Sequence, residues 1–347
     1  MRRCALALWF VFGVPAFAAP WTEVTPAAGT CWDGTPWRFW YREGETDRLA
    51  VWFQGGGACW KTELCDPKGA PTFDGSVTAD DAPARSTGLL DATNELNPLA
   101  GWHIVFLPYC TGDMHIGRRS LDYTRADGST FNFAHEGARN TRAALDWVKR
   151  SLARPLGVLV TGESAGAIAA AFWTTEIGDR FPEAELVTIA DAAGGYRALG
   201  VNGLLQRWGV LDELPRLEAY RDKSKVYFES FYLAAAERHP DARLTQVNFS
   251  DDAVQRHFLD LLGSPVEELT KPLTCNMNEI RIDAPQFHSF IYPGQDHVML
   301  RTPAVYTTSC RGVRLVDWIG DVIEGTPVEN TWCEGAENAL TRPRPRL

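Results

Sequence analysis

Ser164 lies in the run LVTGESAGAIAAAF, residues 159–172, where β-forming residues give way at Gly162-Glu163-Ser164-Ala165-Gly166 to small helix formers. Glycines placed two residues before and after a serine suit a sharp strand-to-helix turn with no room for a Cβ. Such a turn lifts the hydroxyl above the carboxyl end of a sheet. The helix that follows aims N–H groups and positive partial charge at whatever the serine attacks. The plainer alternative is that the small residues only let a helix pack tightly on a sheet, so a nucleophile must find its partners elsewhere in the chain.

A serine hydroxyl is a weak nucleophile near neutral pH. Acyl transfer needs an imidazole to take its proton and a carboxylate to orient that imidazole. On sheets of this kind the chain order is Ser, then Asp or Glu, then His. Four histidines follow Ser164. His239 and His257 fall in or at the ends of expected helices, where capping or solvated roles are commoner, and His288 sits in an apolar strand pattern. His297, in YPGQDHVML just past the last expected strand, is in a loop of the sort that carries catalytic groups, and it is the candidate base. For the acid, SDDAVQ offers Asp251 and Asp252, at least one of which suits a helix N-cap, with Asp191 and Asp296 as rivals. Asp191 comes early in the strand order for that role. A tetrahedral intermediate also needs N–H donors, and Gly55-Gly56-Gly57, following the strand-like VWFQ, offers a backbone able to present them. A phosphate cradle is disfavoured, because neither G-x-x-x-x-G-K-[ST] nor G-x-G-x-x-G fits here.

These residues need a sheet to hold them. Residues 48–54, 102–109, 184–191, 243–250 and 287–293 read as strands, as does the run before the elbow. Residues 135–153, the stretch after the elbow through Ile177, 223–239 and 253–262 read as helices. Leu145, Val148 and Leu152 form the apolar stripe of the first of these helices. The alternation predicts an α/β fold, α/β-hydrolase-like, with a mostly parallel central sheet covered by helices on both faces and function at the carboxyl ends of the strands. Residues 66–98 read as Pro- and Asp-rich loops and TRPRPRL at 341–347 as a frayed tail.

The 347 residues, 45% hydrophobic and 22% charged, suffice for a sizeable core. Residues 1–18 read as a signal peptide, with Arg2 and Arg3 ahead of an apolar run and Ala16-Phe17-Ala18 as the cleavage signal. A single domain is then expected over 19–347. No later run is long enough for a membrane helix. Apart from Cys4 in the leader, Cys31, Cys59, Cys65, Cys110, Cys275, Cys310 and Cys333 suit three disulfides and one odd thiol in an oxidising compartment, secreted or periplasmic. Cys59 with Cys65, and Cys310 with Cys333, are candidate pairs. Zinc would want better-clustered ligands. A net charge of −10, with no basic stripe, argues against nucleic acid.

VWFQGGGACW, LPYCTGD, TGESAGA, IADAAGGY, VNFSDDAVQ and GQDHVML together resemble the pectin acetylesterase family, which also contains the lipid deacylase Notum, over about residues 30–300. The chain looks like an exported, bacterial-type member. The resemblance implies Ser164 as nucleophile, Asp252 rather than Asp251 as acid and His297 as base, with Gly56, Gly57 and Ala165 presenting the oxyanion-hole N–H groups. Two departures stand out: Gly57 replaces the tryptophan usual in the family's oxyanion loop, and NFAHEGARN stands where plant members tend to carry an Arg-Gly pair. The expected function is hydrolysis of acetyl or short-chain acyl oxygen esters through an acyl-enzyme, with no cofactor, on a substrate such as an acetylated polysaccharide. Trp52, Trp60, Trp102 and Tyr109 are candidate sugar-stacking rings, though core roles are commoner, and Arg118 with Arg119 a candidate basic groove. The rivals are a lipid or small-ester carboxylesterase, a peptidase on the same fold, and a secreted binding protein without turnover.

Overall fold

A computed structural model describes residues 19–333 except Ala70 and Ala153. The expected leader at 1–18 and the tail at 341–347 lie outside the described residues. The strands are β1 (Trp21–Val24), β2 (Phe39–Arg42), β3 (Arg48–Phe53), β4 (His103–Leu107), β5 (Arg119–Thr124), β6 (Thr130–His135), β7 (Gly157–Glu163), β8 (Glu185–Asp191), β9 (Arg243–Phe249), β10 (Phe287–Tyr292), β11 (Ser309–Cys310), β12 (Val313–Arg314) and β13 (Thr331–Trp332). The α-helices are α1 (Thr62–Cys65), α2 (Gly137–Ser151), α3 (Ala165–Arg180), α4 (Gly200–Arg207), α5 (Glu229–Arg238), α6 (Ala253–Leu261), α7 (Thr270–Asp283), α8 (Ala304–Thr307) and α9 (Leu315–Glu324).

Among the described residues, one nine-stranded sheet runs β1-β2-β4-β3-β7-β8-β9-β10-β13. It is parallel from β4 to β13, and the β1–β2 and β2–β4 pairs are antiparallel. Successive side chains on a strand point to opposite faces. Every residue of β7, and all but the first of β8 and of β9, is buried, so both faces of the central strands are covered. This is the expected mostly parallel sheet with helices around it, an α/β-hydrolase-like layout.

The sequence reading placed the central strands and the helices after them to within a few residues. Its helix over 135–153 starts two residues late: His135 closes the β5–β6 hairpin, and Asp113 accepts the Gly137 N–H at the head of α2. Leu145 and Val148 are buried as expected, whereas Leu152 caps the helix. The helix expected over 223–239 is regular only from Glu229. Residues 223–225 form a 3₁₀ turn, capped by Asp222. The edge strand β1 and its neighbour β2, the hairpin, α4, α7 and α9 were not anticipated.

Cys59–Cys65 and Cys310–Cys333 are bonded, and Cys31–Cys110 is the third disulfide, leaving Cys275 exposed and free among the described residues. Cys31–Cys110 spans 79 residues, the kind of long closure expected to contribute about 2–4 kcal/mol by restricting the unfolded chain. Three disulfides fit an extracellular protein. No helix among the described residues is long and apolar enough to cross a membrane.

Candidate active site

The elbow forms where β7 meets α3. Ser164 has φ 54° and ψ −121°, a conformation that β-branched or bulky residues avoid; it costs of order 1–3 kcal/mol and persists only where the surroundings enforce it. They do. The Ser164 N–H donates to the Asp191 carbonyl at 2.8 Å. A Cβ on Gly162 would lie 2.5 Å from the Phe53 carbonyl oxygen, and one on Gly166 only 2.0 Å from it, so strand β3 passes too close for any residue but glycine at either position. Ser164 is the N-cap of α3, yet its side chain makes no capping bond, leaving the hydroxyl unspent.

The acid and base candidates meet directly. His297 Nδ1 lies 2.6 Å from Asp252 Oδ2. Because a carboxylate only accepts, Nδ1 carries the proton and Nε2 is left to receive one. Asp252 is fully buried, and its other oxygen accepts the Val254 and Gln255 N–H groups at 2.9 and 3.0 Å, capping α6. One residue therefore caps the helix and grips the imidazole. Asp251 points elsewhere, accepting the Leu269 N–H and the Gln295 amide, each at 2.9 Å. His239 bonds the Thr175 carbonyl, His288 lies beside the Gln286 carbonyl, and His257 and Asp296 are exposed.

Asp191, the early rival, ties the elbow to the histidine loop. Its carbonyl holds Ser164 N, while its Oδ2 accepts the Met299 and Leu300 N–H groups at 2.6 and 2.7 Å. Its Oδ1 is buried without a partner, and burial pushes this carboxyl up to about 7 against the pull of the two N–H bonds.

The glycine loop leaves β3 beside the elbow. Gly55 donates its N–H to Glu163 Oε1 at 3.0 Å. Gly56 and Gly57 have φ of 143° and 74°, and a Cβ on Gly57 would sit 2.0 Å from the Thr72 carbonyl oxygen. Beneath them Gln54 accepts Tyr109 N on its side chain and meets His115 Nε2 with its carbonyl. Burial pushes His115 down to about 4, so near neutral pH it stays uncharged and donates that bond.

Ser164, Ala165 and Gly57 line one shallow cleft, walled mainly by Trp60, Met114, Ile168, Phe228 and Phe258. Trp60 is thus the one stacking candidate in the cleft, since Trp52, Trp102 and Tyr109 are buried. Arg118 and Arg119 offer no free basic groove, being paired with Glu213 and Asp212. Another hollow lies at the amino ends of the strands between Arg48, Trp102, Glu185 and Arg243, away from any of these groups, with Arg48 paired to Glu324 and Arg243 to Glu185. Cys59, Cys65 and His135 lie close enough together among the described residues to suggest a metal site, but both thiols are consumed in a disulfide.

A search of curated proteins found no match. The family model described as pectinacetylesterase matches residues 18–199, a segment that carries the glycine loop and the elbow, with Asp252 and His297 beyond it. With that match, the chain belongs to the pectinacetylesterase family, which implies a carboxylic-ester hydrolase.

Proposed function

We propose that the protein is an exported serine esterase that removes acetyl or other short acyl groups from oxygen esters through Ser164, His297 and Asp252. The observation that carries this reading is the 2.6 Å bond between His297 and a fully buried Asp252, on loops after the neighbouring strands β10 and β9. In the first step His297 Nε2 takes the Ser164 proton as the oxygen attacks the ester carbonyl. The N–H groups of Gly56, Gly57 and Ala165 receive the developing oxyanion. The imidazolium, stabilised by Asp252, then protonates the leaving alcohol. Water, activated by the same nitrogen, releases the acid from the acyl-enzyme. In this reading the signal peptide ends at residue 18, a single domain begins at Ala19, and the substrate is an acetylated carbohydrate approached past Trp60.

A second reading has its own support. The cleft walls are apolar, which also suits a longer acyl chain or a small aryl ester. Steady-state hydrolysis of acetyl, butyryl and octanoyl nitrophenyl esters and of an acetylated oligogalacturonide separates the two. The proposal expects kcat/KM to be highest for acetyl and to vanish in Ser164→Ala. A maximum at octanoyl moves the substrate to lipid-like esters, and turnover by folded Ser164→Ala removes the serine mechanism.

A further inference from the structure

The elbow contains a charge that the triad does not use. Glu163 ends a strand whose every residue is buried and is itself 5% exposed. A carboxylate there needs donors, and it has three, each from a different part of the sheet's carboxyl edge. Oε2 accepts the Trp52 indole N–H of β3 at 2.7 Å. Oε1 accepts the Gly55 N–H of the glycine loop at 3.0 Å and an Arg301 guanidinium N–H at 2.8 Å. Arg301 directly follows Met299 and Leu300, the residues held by Asp191, and Asp191 is the β8 partner of Glu163 in the strand register.

One side chain therefore joins the turn that carries Ser164, the loop that carries Gly56 and Gly57, and the loop that carries His297. Charge is what allows this. An ionised carboxylate accepts at both oxygens, whereas a neutral amide of the same shape accepts at one and turns an NH₂ toward the donors at the other. Charge-assisted bonds are also shorter and stronger than neutral ones, so they limit the relative travel of three loops that strand geometry alone does not fix.

We propose that Glu163, held by Arg301, is a positioning residue that sets the oxyanion loop and the histidine loop against the nucleophile. The inference rests on the serine-esterase reading above. Its role acts on the geometry of the reacting groups and not on substrate contact, so it governs kcat and leaves KM nearly untouched. Misplacement on the scale of an ångström costs about 10²-fold in rate, which sets the expected effect of Glu163→Gln.

The test is steady-state kinetics with an acetyl ester, alongside the rate of Ser164 labelling by a fluorophosphonate and the melting temperature. It is run on full-length Glu163→Gln, Arg301→Gln, Arg301→Lys and Ser164→Ala. Expected are a fall in kcat of about 10²-fold in Glu163→Gln and about 10-fold in Arg301→Gln, each with KM within about threefold and with labelling slowed in step. Arg301→Lys, which keeps a cation for Glu163, recovers most of the loss. If folded Glu163→Gln and Arg301→Gln keep kcat within about twofold of wild type while Ser164→Ala is inactive, the positioning role is wrong and the esterase site stands. If Ser164→Ala retains turnover, the esterase reading itself fails. Should Glu163→Gln not fold, Arg301→Gln against Arg301→Lys decides: equal loss of kcat in both overturns the proposal, and rescue by lysine supports it.

Discussion

The carboxyl ends of β8 and β9 each deliver a fully buried aspartate toward the loop that carries His297, and the two are partnered differently. Asp252 and Asp191 both accept two backbone N–H groups on one oxygen. What differs is the other oxygen. That of Asp252 meets the His297 imidazole at 2.6 Å, whereas that of Asp191 meets no donor. A buried carboxylate near a histidine is thus a candidate acid only where an oxygen faces the ring. The unpartnered one instead has its carboxyl raised to about 7 by burial and holds backbone.

Breaking the first contact gives the largest expected effect. Asp252→Asn keeps the shape and part of the helix cap but favours the wrong imidazole tautomer, and kcat for an acetyl ester should fall by about 10⁴-fold with the fold intact by circular dichroism. A loss below about tenfold would mean that Asp252 serves chiefly as a cap.

Asp191 sharpens the contrast. Asp191→Ala frees the Met299 and Leu300 N–H groups and should lower kcat by about 10- to 100-fold through the displaced His297 loop. Asp191→Asn still offers an oxygen to both and should stay within about threefold of wild type, since the role assigned to Asp191 needs an acceptor and no charge. Equal damage in both variants, read by the same kinetics, would make Asp191 an electrostatic partner of the site. Asp251→Asn, whose carboxylate meets Leu269, Gln295 and Arg256 and not His297, should change kcat by less than about threefold.

The smallest effect is on stability. The folded pKa of Asp191 is raised above its unfolded value. Its contribution is therefore fully present below the unfolded carboxylate pKa of about 4 and is lost as pH rises through about 7. Asp191→Asn removes that loss, so urea titrations at pH 4 and pH 8 should show the variant gaining on wild type at the higher pH. Asp113, likewise raised to about 7 by burial, contributes the same trend to both proteins and cancels in the comparison. A constant difference between the two pH values would show that Asp191 does not titrate in this window.

The elbow was legible because its constraint is local: Gly162 and Gly166 sit within the five residues that turn, and β3 packing against them only restates the spacing. The parallel strands were legible as unbroken apolar runs such as Leu49 to Phe53. The four-residue strands β1 and β2, with Glu23 and Arg42 among aromatics, lacked both alternation and length. Choosing Asp252 over Asp251 required the family resemblance, since both neighbours suit a cap, and the structure shows why the choice matters: only one faces His297. Glu163 lies inside the G-x-S-x-G motif at a position whose role the motif does not define. Its partners Trp52 and Arg301 are 111 and 138 residues away, beyond the reach of local pattern. The signal that would have flagged it is an acid closing the apolar run LVTGE, which folding cannot bury without donors.

The central claim is that Ser164 is an activated nucleophile. Its most direct test is intact-mass spectrometry of the disulfide-bonded protein after treatment with a fluorophosphonate, with Ser164→Ala and Asp252→Asn beside it. The proposed triad predicts one phosphonyl adduct on wild type, none on Ser164→Ala and slowed labelling of Asp252→Asn. An unmodified, folded wild type, or an adduct that persists in Ser164→Ala, would contradict it.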